Sequence, residues 1–158
     1  MLAPDPPGGR FDGSVHLFPV RVYFEDTDLS GVVYHANYLR WFERARSDML
    51  RLLGIGQRAA HDAGEGAYAV TELALRYLRP ARLDDAVYVA SRVTEVTPAT
   101  CRLVQQAYVQ QPDRGETLLC SAEVRVAFVA PSGRPRRQPA AWVAAFRTIL
   151  NQEGLSPA

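Results

Sequence analysis

The densest group of reactive side chains in the sequence is the run Glu25-Asp26-Thr27-Asp28-Leu29-Ser30-Gly31-Val32-Val33-Tyr34-His35, which holds three carboxylates and an imidazole. The run connects a strand-like segment to a long helical one, and loops beside rigid elements commonly host sites. The unpaired N–H groups at a helix start stabilise an oxygen that becomes negative during a reaction. A carboxylate just upstream faces the same spot, and Asp28 stands there. Close to a helix N-terminus it stays ionised at neutral pH, which suits a nucleophile or general base and argues against a general acid. An aspartate ahead of a helix is in general more often a cap or turn former than a catalyst. Glu25 and Asp26 read as structural or solvated. Asp26, Asp28 and His35 do not read as a metal site, because they crowd into one loop without a second ligand group at established spacing.

The elements around this loop follow from hydrophobic periodicity. Residues 17–24 alternate with Phe18, Val20, Val22 and Phe24 on one face, a first strand. Residues 37–54 place Tyr38, Phe42, Ala45, Met49, Leu52 and Leu53 at helical spacing, with Asn37 as the N-cap and Gly54 as the stop. Leu39, Trp41 and Leu50 broaden the apolar face, so the helix needs a sheet to cover. Four strand-like segments follow, at about 67–77, 86–96, 100–109 and 117–130, with turn residues between the last three that predict hairpins. Residues 140–150 read as a short closing helix or loop. Strand, long helix and antiparallel meander make an α+β domain over 15–150. Residues 1–14 are rich in Pro and Gly and read as a flexible tail, as do 151–158.

Composition excludes several function classes. The chain has 158 residues, enough for one substantial core. Eighteen basic residues against seventeen acidic ones leave a formal charge of +1, so no overall field draws it to nucleic acid or anionic lipid. Every basic residue is Arg, and the absence of Lys removes Schiff-base, pyridoxal phosphate and P-loop lysine chemistry. Cys101 and Cys120 lie in apolar runs and read as reduced core residues. With neither a signal peptide nor an apolar run of about 18 residues, no transmembrane segment is expected and the expected location is cytoplasmic.

The run from Asp28 to Tyr38, continuing through Phe42-Glu43-Arg44-Ala45-Arg46, resembles the signature of the 4-hydroxybenzoyl-CoA thioesterase-like hotdog family. The resemblance is strongest to its Tol-Pal-associated acyl-CoA thioesterase (YbgC) branch. Arg21-Val22-Tyr23-Phe24-Glu25-Asp26-Thr27, Tyr77-Leu78-Arg79-Pro80-Ala81-Arg82-Leu83-Asp84-Asp85 and Ala122-Glu123-Val124 extend it over about residues 18–146. The resemblance implies a hotdog fold, a five-stranded antiparallel sheet wrapped around one long central helix. It also implies a homodimer, often assembled into a homotetramer, with active sites at the dimer interface. The implied reaction is hydrolysis of an acyl-CoA thioester. Asp28 is then the nucleophile or general base, and the backbone N–H of His35 polarises the carbonyl. No cofactor is implied, coenzyme A being part of the substrate.

Substrate-binding positions expected on the same pattern are Gly31, Tyr34, Tyr38, Arg79 and Arg82, the tyrosines lining the acyl pocket and the arginines holding CoA phosphates. Arg134, Arg136 and Arg137 are further phosphate candidates, although GRPRRQP also reads as a solvated turn. Two other functions compete: a hotdog hydratase or dehydratase, which needs a His side chain with a carboxylate, and a non-catalytic protein that binds an acyl carrier protein. The sequence contains no G-x-S-x-G elbow.

Overall fold

A computed structural model of the chain describes residues 1–150, and the C-terminal tail expected over 151–158 lies outside the described residues. The strands are β1 (Arg10–Asp12), β2 (Val15–Arg21), β3 (Ala67–Tyr77), β4 (Ala86–Val96), β5 (Thr100–Gln111) and β6 (Gly115–Val129), and the helices are α1 (Asn37–Leu52), α2 (Gln57–Asp62) and α3 (Ala140–Thr148). All strand pairs are antiparallel, in the order β1-β2-β4-β5-β6-β3. β4, β5 and β6 form the expected hairpins, while β3 returns to pair with β6 at one edge.

The sheet has six strands where five were expected. The extra strand, β1, falls inside the stretch read as a flexible tail and pairs with β2 from Arg10 opposite Leu17 to Asp12 opposite Val15. A three-residue strand with Phe11 as its one apolar side chain leaves no periodic signal. β1 is instead held by its surroundings. The Gly9 N–H donates to Asp48 Oδ2 at 3.0 Å, and the Phe11 ring packs edge-on against His16, 5.4 Å between centroids. A Cβ on Gly9 would fall 2.3 Å from the Leu17 carbonyl oxygen, so this approach requires glycine.

β2 ends at Arg21, three residues before the expected end of the first strand. Val20 and Val22 are buried as the alternation requires, but Phe24 turns outward because the chain enters a single 3₁₀ turn at Phe24–Asp26. Asn37 is the first residue of α1 rather than its cap, which is Ala36.

α1 turns Tyr38, Trp41, Phe42, Ala45 and Met49 inward, and these join Val20, Val89, Leu103 and Val124 of the strands in one apolar cluster. Burying Trp41 and Phe42 alone contributes several kcal/mol, at about 25 cal/mol per Å² of apolar surface. Both cysteines are buried and free, and burial pushes each thiol up to about 12, far from reactivity. Among the described residues no helix is long and apolar enough to cross a membrane.

α1 carries one buried polar contact that ties it to β2. His16, fully buried, donates from Nε2 to Asp48 Oδ2 at 2.7 Å, leaving Nδ1 without a partner. Burial holds the imidazole below its ordinary pKa, outweighing the opposing pull of Asp48. The folded chain therefore takes up this proton less readily than the unfolded one. The stabilisation is fully present above the unfolded value of about 6.5 and is lost as pH falls through the lower folded value. The urea midpoint of the wild type should fall between pH 7.5 and pH 5, and His16→Gln should flatten that dependence. An undiminished dependence in His16→Gln would assign it to other groups.

Candidate active site

The Asp28 loop folds as a short hairpin of its own. Thr27 bridges Val33, the Asp28 N–H donates to the Val32 carbonyl at 3.0 Å, and the Gly31 N–H returns to the Asp28 carbonyl at 3.0 Å. Gly31 sits at a φ of +78°, the left-handed conformation that closes the turn. Gly31 thus shapes the loop. Leu29, at the tip, is fully exposed.

Three attachments hold this hairpin against the rest of the fold. The Asp26 carbonyl accepts both the Tyr34 N–H and the Asn37 side-chain amide, each at 2.8 Å, joining the end of the 3₁₀ turn to the first residue of α1. The Val33 N–H donates to the Ala81 carbonyl at 2.9 Å, and the Ala81 N–H donates to the Tyr38 hydroxyl at 3.2 Å. The Tyr77 hydroxyl donates to the His35 carbonyl at 2.7 Å. The Asp26 side chain caps its own turn by accepting the Tyr23 N–H at 2.8 Å, in keeping with a structural reading.

The Asp28 side chain is exposed. Its Oδ1 accepts both the hydroxyl and the backbone N–H of Ser30, the latter at 2.8 Å. These two bonds hold the carboxyl below the ordinary aspartate range, with a smaller contribution from the nearby charge of His35. Asp28 is therefore ionised at neutral pH and available to act as a base or nucleophile. The Tyr34 carbonyl accepts the Asn37 N–H at 2.9 Å, so the opposite end of the same trans peptide, the His35 N–H, points away from α1. That N–H donates to no acceptor among the described residues.

The remaining expected residues divide. Tyr34 is half exposed and stacks edge-on with His35, 4.5 Å between centroids, so it can meet a ligand. Tyr38 is buried, its ring packs on Trp41 and Tyr77, and its hydroxyl accepts the Ala81 N–H. Arg79 and Arg82 lie exposed on the segment tethered to the hairpin through Ala81, and neither guanidinium meets an acceptor among the described residues. Arg136 donates from Nη1 to the carbonyls of Gly64 and Glu65 after α2. Tyr77 is the site-adjacent residue that the sequence reading did not single out, because nothing in its position at the end of a strand points across to the loop.

A concavity of about 380 Å³ reaches Tyr23, Glu25 and Asp26 on the approach to the hairpin, and Asp28 is not in its lining. A concavity of about 630 Å³ lies elsewhere, along β1, β2 and β4 between Arg10, Leu17, Tyr88 and Arg92. A smaller apolar one of about 100 Å³ lies between α1 and β3, with Leu50, Tyr68, Val70 and Phe146 in its lining. Among the described residues no group of three or more His, Cys, Asp and Glu side chains is arranged to hold a metal ion.

The depression of the Asp28 pKa can be tested without reference to any reaction. Ser30→Ala removes the hydroxyl that is its largest cause, so the carboxyl should titrate at higher pH in the variant, followed by carbon-13 NMR of the side chain. An unchanged titration would mean that Ser30 does not set the charge of Asp28.

Comparison with known proteins now places this geometry. Residues 22–148 match the family model of the thioesterase-like superfamily. The acyl-CoA thioesterase YbgC of Haemophilus influenzae is 45% identical over 112 residues, 71% of this chain and 79% of that protein. The acyl-CoA thioester hydrolase YbgC of Escherichia coli is 40% identical over 131 residues, 82% of this chain and 94% of that protein. Among solved structures, a probable thioesterase from Bartonella henselae superposes with a TM-score of 0.68 at 35% identity, covering 79% of this chain and 99% of that one. A 4-hydroxybenzoyl-CoA thioesterase variant in complex with 4-hydroxybenzoyl-CoA superposes with a TM-score of 0.76 at 18% identity, over 84% of this chain and 98% of that one, and supports the hotdog fold alone. With the Asp28 hairpin inside the matched region and the sheet and helices superposing on these proteins, the chain belongs to the thioesterase-like superfamily, among relatives of the YbgC type.

Proposed function

We propose that the protein is an acyl-CoA thioesterase that releases free CoA and a carboxylic acid, with Asp28 as its working carboxylate. The observation that carries this reading is the pairing, on one short loop, of an exposed carboxylate held ionised by Ser30 with an uncommitted backbone N–H at His35. Thioester hydrolysis asks for those two things, a nucleophile or base and a donor for the developing oxyanion, and requires neither a metal nor a redox cofactor. Asp28 either attacks the carbonyl carbon, expelling the CoA thiolate and leaving an anhydride for water to open, or takes a proton from the attacking water. In both routes the His35 N–H meets the oxygen as it becomes negative, close to the positive end of α1. The kinship with YbgC proteins from Haemophilus influenzae and Escherichia coli supports acyl-CoA as the substrate class.

The rest of the reading concerns the assembly. Asp28 is open to solvent on the single chain, and β3 is an edge strand whose Val70, Leu73 and Tyr77 are about half exposed. An unpaired apolar edge strand together with an exposed site carboxylate favours a second subunit that covers both, in a dimer or tetramer. α1 would be the central helix that the sheet wraps. Arg79 and Arg82 would hold the CoA phosphates, and Tyr34 would border the acyl group. A cytoplasmic location, a link to the Tol-Pal system and an acyl carrier protein partner belong to the same proposal.

A second reading rests on the exposed His35 side chain lying on the same loop as Asp28, since a histidine working with a carboxylate is what a hotdog hydratase or dehydratase would use. The two readings separate on substitution. Thiol release from short, long and aromatic acyl-CoA esters should proceed in the wild type and fall by roughly a hundredfold or more in Asp28→Asn, as for loss of an essential group. His35→Ala should cost far less, because the atom it supplies is on the main chain. A wild type silent on every ester, or an Asp28→Asn variant as fast as wild type, would overturn the thioesterase reading. A dead His35→Ala would favour the hydratase.

A further inference from the structure

Resting on the thioesterase reading, we propose that Tyr77 is a positioning residue for the reaction: through its hydroxyl it fixes the main chain at His35, and so the direction of the N–H that receives the oxyanion. Tyr77 is the last residue of β3, and its hydroxyl donates to the His35 carbonyl at 2.7 Å across 42 residues of sequence. The adjoining peptide is fixed from the other side, where the Tyr34 carbonyl accepts the Asn37 N–H at 2.9 Å. His35 is thereby bracketed, its preceding peptide tied to α1 and its following peptide tied to the sheet. Among the described residues the Tyr77 hydroxyl is the one donor to the His35 carbonyl. The turn from Tyr34 to Asn37 that holds the 34–35 peptide, and with it the His35 N–H, runs through the 35–36 peptide, so losing the Tyr77 bond loosens that turn and the N–H it aims.

Packing supports the same role. The Tyr77 ring lies edge-on to His35 at 6.1 Å and to the buried Tyr38 at 5.7 Å, so it enters the hydrogen bond already oriented. The base of Tyr77 is also fixed: Leu119, the unpaired residue where β6 bulges against β5, accepts the N–H groups of Leu78 and Arg79 at 2.8 and 3.1 Å. Partial burial raises the Tyr77 pKa, which keeps the hydroxyl a donor throughout the neutral range. Oxyanion stabilisation depends on donors held in place before charge develops, so an immobilised N–H is worth more than a mobile one. Tyr77 touches neither Asp28 nor, on this account, the reacting carbonyl.

Tyr77→Phe keeps the ring and removes only the donor. Its kcat for the preferred ester should fall about tenfold, less than the roughly hundredfold that loss of a direct oxyanion donor costs. KM, the thermal midpoint and the affinity for an S-alkyl thioether of CoA, which has no carbonyl to polarise, should all stay within about twofold of wild type. A wild-type kcat in Tyr77→Phe, or a loss confined to KM, would overturn the inference while leaving the thioesterase reading intact. So would a matching loss of thioether affinity or thermal stability, which would make Tyr77 merely structural. Absence of turnover in the wild type itself would overturn both.

Discussion

The Asp26 carbonyl, with its two donors, is the contact on which the site depends. It accepts the Tyr34 N–H from the far side of the hairpin and the Asn37 amide from the start of α1. One oxygen thus joins the end of the β2 connector, the closing strand of the Asp28 hairpin and the first turn of the helix. The hairpin sends only Val33 into the core, and a segment with so little apolar surface buried would, left to itself, sample many conformations. Hydrogen bonds to the main chain of buried or helical residues replace the packing it lacks. Ala81, fully buried, supplies the second anchor through its carbonyl and N–H, and Tyr77 supplies the third.

Those anchors hold only because the elements behind them are rigid. α1 presents Trp41, Phe42, Ala45 and Met49 to the sheet with almost no exposure, and deeper along it Gln105 bridges Arg46, the Phe42 carbonyl and Ser91 in a buried polar network. That network satisfies groups that would each cost about 1–3 kcal/mol if left unpaired. At the far end Asp48 gathers His16 and the Gly9 N–H, stitching β1 and β2 to the helix. The helix is therefore fixed against the sheet along its length, and its N-terminal N–H groups face a defined direction. The Asp28 carboxylate and the uncommitted His35 N–H are carried on one loop at that end.

Much of this was legible in the sequence. The α1 stripe and the β6 alternation are long periodic signals: the structure buries Tyr38, Phe42, Ala45 and Met49 and Cys120, Ala122, Val124, Val126 and Phe128, while Leu52 at the end of α1 is exposed and Leu53 and Leu118 are only partly buried. The site loop stood out because reactive residues cluster in it, and its motif resemblance is matched by the family comparison. What escaped the sequence has a common cause. β1 is specified by pairing and by Gly9 approaching Asp48, Phe24 is turned outward by a 3₁₀ turn, and Leu119 is displaced by a bulge. The contacts of Tyr38 with Ala81 and of Arg136 with the carbonyls after α2 are likewise long-range hydrogen bonds. So is that of Tyr77, a strand-end tyrosine whose partner lies 42 residues away. Local periodicity carries no information about any of these contacts.

The proposed reaction requires one thioester carbonyl to sit between the Asp28 carboxylate and the His35 N–H. A crystal structure of Asp28→Asn with a bound acyl-CoA tests this most directly. The carbonyl oxygen should lie within hydrogen-bonding distance of the His35 nitrogen, about 2.7–3.1 Å, with the carbonyl carbon facing the side chain at position 28. An acyl-CoA whose thioester lies away from this loop, for instance in the concavity along β1, β2 and β4, would contradict it.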